Sequence, residues 1–196
     1  ISNNAYAKGE KQMLLKSNDN SEYSAIHLKY HPVFKSYLDK IGFYDLFLID
    51  TTGHIVYTVH KEIDFATSIN DGAFKKTNLA RLVQNVLESD QKGFTDMVDF
   101  DMYSPSYNDQ ASFIATAIYD GEKKIGVLAF QLSIDRINNI MTDNQQWSEV
   151  GLGRTGETYI VGKDLLLRNQ SRFLIEDKVN YEEMMKNIGI SNDTIK

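Results

Sequence analysis

The chain has 196 residues, a formal net charge of −6, 42% hydrophobic and 24% charged residues, and no cysteine. That size suits one ordinary domain, or one domain with part of a second, and the apolar fraction is sufficient for a packed core. The acidic balance, with no Lys/Arg cluster, argues against a nucleic-acid partner, and the lack of cysteine removes disulfides, thiolate nucleophiles and Cys-type metal sites.

No apolar run approaches the ~18 to 20 residues that span a bilayer. The start, Ile1-Ser-Asn-Asn, has neither an initiator Met nor a signal-peptide pattern. Together with the end at Ser191-Asn-Asp-Thr-Ile-Lys196 it reads as a segment cut from a longer protein.

Residues 5–41 are expected to be mostly helical, with Met13, Leu14, Ile26, Leu28, Val33, Phe34, Tyr37, Leu38 and Ile41 at broken helical spacing. The polar patch 17–22 interrupts the pattern, Pro32 suits the first turn of a second helical piece, and Gly42 is a natural stop. The stretch 44–59 predicts a hairpin, with strands over 46–50 and 55–59 and a turn at Thr51-Thr-Gly53. Its first strand is too apolar for a solvent edge. Residues 61–67 are polar and show no catalytic geometry. A helix is expected over about 77–89, where Leu79, Leu82, Val83, Val86 and Leu87 recur at helical spacing.

Three more strands follow, over 94–103, 112–119 and 125–133, with the last two joined by a turn at 120–124. Asp135 is placed as the N-cap of a helix through Met141. After Gly151, strands at 157–162 and 165–168 look like the opening hairpin of another module. Five strands with helical cover make an α+β domain. The expected division is a helical segment over 1–42, a sensor lobe over 43–147, and the beginning of a second lobe, or a C-terminal extension, over 148–196.

Several strings, in order, resemble the extracytoplasmic Cache sensor domains of bacterial chemoreceptors and sensor cyclases or kinases. They are 44–50; 55–59 with Lys61, Glu62, Asp64 and Phe65; Tyr103-Ser-Pro-Ser-Tyr107; 125–131; and 151–162 with Ser171, Arg172 and Phe173. The resemblance spans residues 30–175. It implies a PAS-like five-stranded antiparallel sheet on a long N-terminal helix, and a periplasmic position in a bacterial inner-membrane receptor. It also implies anchoring by flanking helices and a homodimer in the full receptor.

Gly151-Leu-Gly-Arg-Thr-Gly156 matches G-x-G-x-x-G, but a helix precedes it and a strand follows, the reverse of a dinucleotide fingerprint; a turn between lobes is the better reading. His27 and His31, four apart, share a helix face, yet no third ligand is placed, and two solvated histidines are expected. Asp96, Asp99 and Asp101 read as a solvated acidic strand edge rather than a calcium loop. No Ser-His-Asp set, P-loop or nucleophile elbow is visible, so the reading is a non-enzyme without metal or cofactor.

The segment from Tyr103 to Phe113 gathers aromatics and hydroxyls around a proline-fixed bend, the mixture that small-ligand pockets use. Tyr103, Tyr107 and Phe113 are the expected walls; Ser106 and Gln131 the expected hydrogen-bonding groups. Alternation places Gln131 opposite Phe130, on the side away from the long helix. In the amino-acid-sensing branch of the family an Asp at the position of Gln131 binds the ligand amine. An amide supplies no negative charge, so the substitution favours a small molecule that is neutral or anionic. The expected role is to bind that ligand between the sheet and the loops 61–76 and 103–112, and to shift the N-terminal helix. The competing reading is a structural or dimerisation module acting through a protein partner.

Overall fold

The computed structural model describes residues 11–191. The described residues through Ser133 form one compact unit and those from Ile134 a second. The division therefore falls earlier than the boundary expected after residue 147, and the long helix belongs to the same unit as the sheet.

In the first unit, α1 (Glu22–Ile41) leads into β1 (Asp45–Asp50) and β2 (Ile55–Thr58). Then come α2 (Asn78–Glu88), β3 (Thr95–Tyr103), β4 (Asp109–Asp120) and β5 (Lys123–Ser133). The strands make one sheet in the order β2-β1-β5-β4-β3, with every neighbouring pair antiparallel. All five expected strands are present.

Helix α1 starts where the Ser21 side chain accepts from the Ser24 N–H, and it ends at Gly42, whose φ of 78° suits glycine and whose N–H bonds the Leu38 carbonyl. Pro32 lies inside this helix and does not begin a new one. Proline removes one i→i−4 bond, but both Pro32 and Leu28 are exposed, so water can satisfy the freed carbonyl. The stretch 14–20 before the helix is not helical, and the part of the expected helix over 5–10 lies outside the described residues.

The sheet is buried on both faces. Leu46, Leu48, Tyr57, Val59, Leu128 and Phe130 meet Phe34 and Leu38 of α1. The opposite face carries Phe47, Ile49, Val127, Ala129, Phe113 and Tyr103 against Leu79, Leu82, Val83 and Val86 of α2. This is the period-2 division of a strand, and it puts Phe130 and Gln131 on opposite faces as the alternation requires. Gly126 sits where β5 meets β1; a Cβ there would lie 2.6 Å from the Ile49 carbonyl oxygen, so only glycine keeps the strands at this spacing. Asp99 and Asp101 are exposed on β3, the edge strand, as expected for charges that discourage edge pairing.

The second unit contains α3 (Ile134–Thr142), α4 (Arg172–Glu176) and α5 (Lys178–Asn187). Asp135 is in the first turn of α3, not at its cap. The expected hairpin over 157–168 reduces to a single bridge, Val161 with Leu167. Val161, Leu165, Leu166 and Leu167 are all exposed, so no buried face holds a register here. The glycine motif is structural. The Arg172 guanidinium lies over Trp147 and donates to the Gly153 and Gly156 carbonyls, which turns carbonyl oxygens rather than N–H groups toward the loop's interior. No described helix is long and apolar enough to cross a membrane.

Candidate functional site

Four of the five expected site residues converge in the first unit. Phe113, Gln131 and Asp45 are aligned across β4, β5 and β1, so they share the face covered by α2. β3 ends in Tyr103, and a short 3-10 turn over Ser104–Ser106, with Pro105 inside it, brings Ser106 back beneath the sheet end. The Gln131 amide Nε2 donates to Ser106 Oγ at 3.0 Å, and Ser106 Oγ donates to a Glu62 carboxylate oxygen at 2.6 Å. Tyr107 is not part of this group: its φ of 60° swings it outward and it is 60% exposed. Tyr103 and Phe113 are both 0% exposed. They stand in edge-to-face contact at 4.9 Å, and Phe113 meets Phe47 at 5.9 Å. Both are part of the core packed against α2.

The acidic half of the cluster was not identified from sequence. Asp45, Glu62 and Asp64 surround Gln131 and Ser106, joined by Tyr44 and Tyr103. Tyr44 donates to Glu62 at 2.8 Å, and Tyr103 donates to Asp64 at 2.5 Å. One oxygen of Asp45 accepts the backbone N–H groups of Leu46, Val59 and His60, which ties β1 to the end of β2. The signals available were an aspartate at the head of the apolar run 46–49 and the Glu62-x-Asp64 spacing. Neither stands out, because acidic residues in a loop are ordinarily solvated.

Three oxygens in this cluster are buried and have no hydrogen-bond partner: Asp45 Oδ2, Asp64 Oδ1 and Gln131 Oε1. All three are acceptors when the carboxyls are ionised. Leaving such an atom unmet costs about 1 to 3 kcal/mol. Burial pushes the Asp45 carboxyl well above the usual range, against the pull of its three N–H donors and with added repulsion from Asp64. Burial likewise raises Asp64 to about 6, opposed by the Tyr103 hydroxyl. Both Tyr103 and Tyr44 are raised by burial and by the neighbouring carboxylates. The site is thus rich in carboxyls that burial pushes toward the neutral form and that a neighbouring cation would ionise, and three of its buried oxygens lack partners.

His27 and His31 are buried, not solvated. Their rings stack at 4.4 Å, His27 Nδ1 bonds the Leu15 carbonyl, and His31 bonds the Gln12 carbonyl and the Tyr57 hydroxyl. Burial lowers the pKa of both, that of His31 to about 4. They fasten the segment before α1 onto the helix. Among the described residues, no three His, Cys, Asp or Glu side chains gather as a metal site.

No protein-family model and no curated protein matches the chain. Solved structures do. The sensory domain of the Campylobacter jejuni chemoreceptor Tlp3 aligns at a TM-score of 0.52 and 15% identity, over 84% of this chain and 63% of that one. The Tlp3 ligand-binding domain in complex with 4-methylisoleucine also aligns at 0.52 and 15%, over 88% and 57%. The ligand-binding domain of the Pseudomonas fluorescens chemoreceptor CtaA, in complex with L-serine, aligns at 0.48 and 15%, over 79% and 57%. The chain spans less than two thirds of the length of each. With its five-stranded antiparallel sheet and long N-terminal helix, the chain has the Cache-type, PAS-like fold of the chemoreceptor sensor domains.

Proposed function

We propose that this segment is the extracytoplasmic sensor of a membrane receptor, and that it binds a small molecule bearing an ammonium group at the Asp45–Asp64–Gln131 cluster. The observation that carries the reading is the set of three unpartnered, buried acceptor oxygens. A protein interior ordinarily satisfies such atoms, and an ammonium group brings three donors and the opposite charge. Asp45, the cross-strand neighbour of Gln131, and Asp64 stand where that charge is missing; burial pushes both toward the neutral form, and pairing with an ammonium group is what ionises them. This weighs against the neutral or anionic ligand that Gln131 alone suggests. Tlp3 is found in complex with 4-methylisoleucine and with L-valine, and amino acids of that kind carry the required ammonium.

Thermal shift and calorimetry with amines, amino acids, carboxylates and sugars test this. An ammonium-bearing compound is expected to raise the melting temperature with dose, since it binds only the folded state. Affinity is expected to fall as pH drops below about 6, where Asp64 takes up its proton. Gln131→Ala should weaken that binding while leaving the domain folded. Binding by carboxylates or sugars alone, or by nothing, sinks the amine assignment.

The receptor reading includes a homodimer. Ile26, Tyr30, Val33 and Tyr37 are all exposed on α1, and their alternating four- and three-residue spacing is that of a coiled-coil seam. A second copy of the same helix is the occupant such a stripe fits, and paired helices continuing to the membrane give ligand binding something to shift. Sedimentation should show a concentration-dependent dimer that Val33→Asp abolishes; a chain that stays monomeric at high concentration would remove this part. A topology reporter that places the full-length protein's segment in the cytoplasm would remove the extracytoplasmic part.

A further inference from the structure

A separate groove of about 570 Å³ opens between the segment before α1, the first turns of α1, β2 and the loop 61–66. Its size is that of a small-molecule pocket, ~300 to 1,000 Å³. Tyr23, Ile55, Val56 and Phe65 supply an apolar lining. The Tyr23 and Phe65 rings stand 6.4 Å apart, and the Tyr23 hydroxyl donates to the Val56 carbonyl at 3.1 Å, which fixes one side of this aromatic pair.

The charge of the groove is opposite to that of the acidic cluster. Lys16 and Lys61 line it, and its one carboxylate, Asp19, has an oxygen already accepting from Ser21 N, Ser21 Oγ and Ser24 Oγ. Lys61 is half-buried, and one of its three donors goes to the Val59 carbonyl at 3.1 Å. Among the described residues it forms no salt bridge; its ammonium stands 5.8 Å from the Tyr57 ring, and burial lowers its pKa to about 8 against the opposing pull of Asp45. Its backbone takes a φ of 51°, and Ala66, across the same groove, takes 62°. Both are uncommon for residues with a side chain and are typical of backbone held for a purpose. The Lys61 conformation is fixed by its N–H bonding Thr58 Oγ1 at 2.7 Å.

We infer that this groove is a second binding site, for a small carboxylate with an apolar body: the Lys61 ammonium pairs with the carboxylate, and Tyr23 and Phe65 clasp the apolar part. A half-buried cation with spare donors gains from an anion, and apolar lining rewards a hydrocarbon rather than an inorganic ion. Carboxylates are disfavoured at the Asp45–Asp64 cluster and amines in the groove; the Asp45 charge acts on Lys61, so the two sites are separated by variants at Asp64 and Phe65 rather than at Asp45.

Calorimetric titration of the whole chain with hexanoate and phenylacetate, against hexanamide and hexylamine as matched controls, tests it. Saturable binding of the two carboxylates is expected, with neither control competing. Lys61→Met should weaken it about tenfold or more, the scale of a lost charge-assisted hydrogen bond. Lys61→Arg should retain most of it, and Asp64→Asn should not alter it. Phe65→Ala should weaken phenylacetate more than hexanoate, a readout that stands even if Lys61→Met fails to fold. Equal binding of hexanamide, no binding of either carboxylate, or full affinity in a folded Lys61→Met variant overturns the assignment. The amine assignment at the other cluster stands or falls on Asp64→Asn instead.

Discussion

Asp64→Asn is expected to make the protein more stable at pH 8 while removing its response to an ammonium ligand. Burial moves the Asp64 carboxyl from 3.8 to about 6. Between those values the folded state holds the proton and the unfolded state does not, so stability falls as pH rises through this window. At about 1.4 kcal/mol per tenfold change in proton affinity, the ionised group costs roughly 3 kcal/mol above pH 6. Asparagine carries no charge and keeps an acceptor for the Tyr103 hydroxyl. That bond weakens by about 1 kcal/mol when the acceptor is neutral, which leaves a net gain of about 1 to 2 kcal/mol. For a unit of this size that is a rise of several degrees in melting temperature.

The pH profile gives a second signature. His31, held neutral with its pKa lowered to about 4 by burial, contributes in the opposite sense. Its unfolded form binds the proton more readily, so its share of stability rises with pH from about 4 to its ordinary value of 6.5. In the wild-type chain the falling contributions of Asp64 and Asp45 oppose the rising one of His31. Asp64→Asn removes one of the two falling carboxyl contributions and leaves that of Asp45 and the rising one of His31, so the net slope from pH 4 to 6.5 should become more positive than in the wild type. A variant that is less stable at pH 8 and still binds amines would make Asp64 a structural acceptor only. Gain of stability with loss of binding is the pattern of a group kept for function at a stability cost.

Phe113→Ala is expected to destabilise by about 3 to 5 kcal/mol, enough to unfold much of the population of an ordinary domain. Phe113 is fully buried on the α2 face, with edge-to-face contacts to Tyr103 and Phe47. Its removal leaves a cavity between rings that β3, β4 and β1 hold in place, and close-packed strands relax only partly. Urea denaturation should show the midpoint falling sharply, with a milder loss for Phe113→Leu. A residue that only walls a ligand pocket behaves differently, losing affinity at nearly constant stability. That outcome would return Phe113 to the ligand wall.

Local pattern made most elements of the first unit legible. Five strands, the helix over residues 78–88 and the stop at Gly42 follow from period-2 and period-3.6 patterns and from the φ that glycine takes without strain. The same alternation put Phe130 toward α1 and Gln131 toward α2. These are local properties, each settled within a dozen residues. Where a local pattern had no face to bury, as at 157–168, it did not become a sheet.

Only the tertiary structure decided which polar groups are buried together. Tyr103 reaches Asp64 across 39 positions and Ser106 reaches Glu62 across 44, distances at which no spacing rule operates. His27 and His31 look solvated in a helical pattern, but the carbonyls of Gln12 and Leu15 and the hydroxyl of Tyr57 give them partners and make their burial tolerable. Tyr107 looks like its neighbour Tyr103, but a left-handed backbone at the end of the Ser104–Ser106 turn sends it to the surface. The desolvation of a charge depends on everything that surrounds it, so the buried carboxyls of the cluster and the half-buried Lys61 of the groove emerged only when the chain was folded.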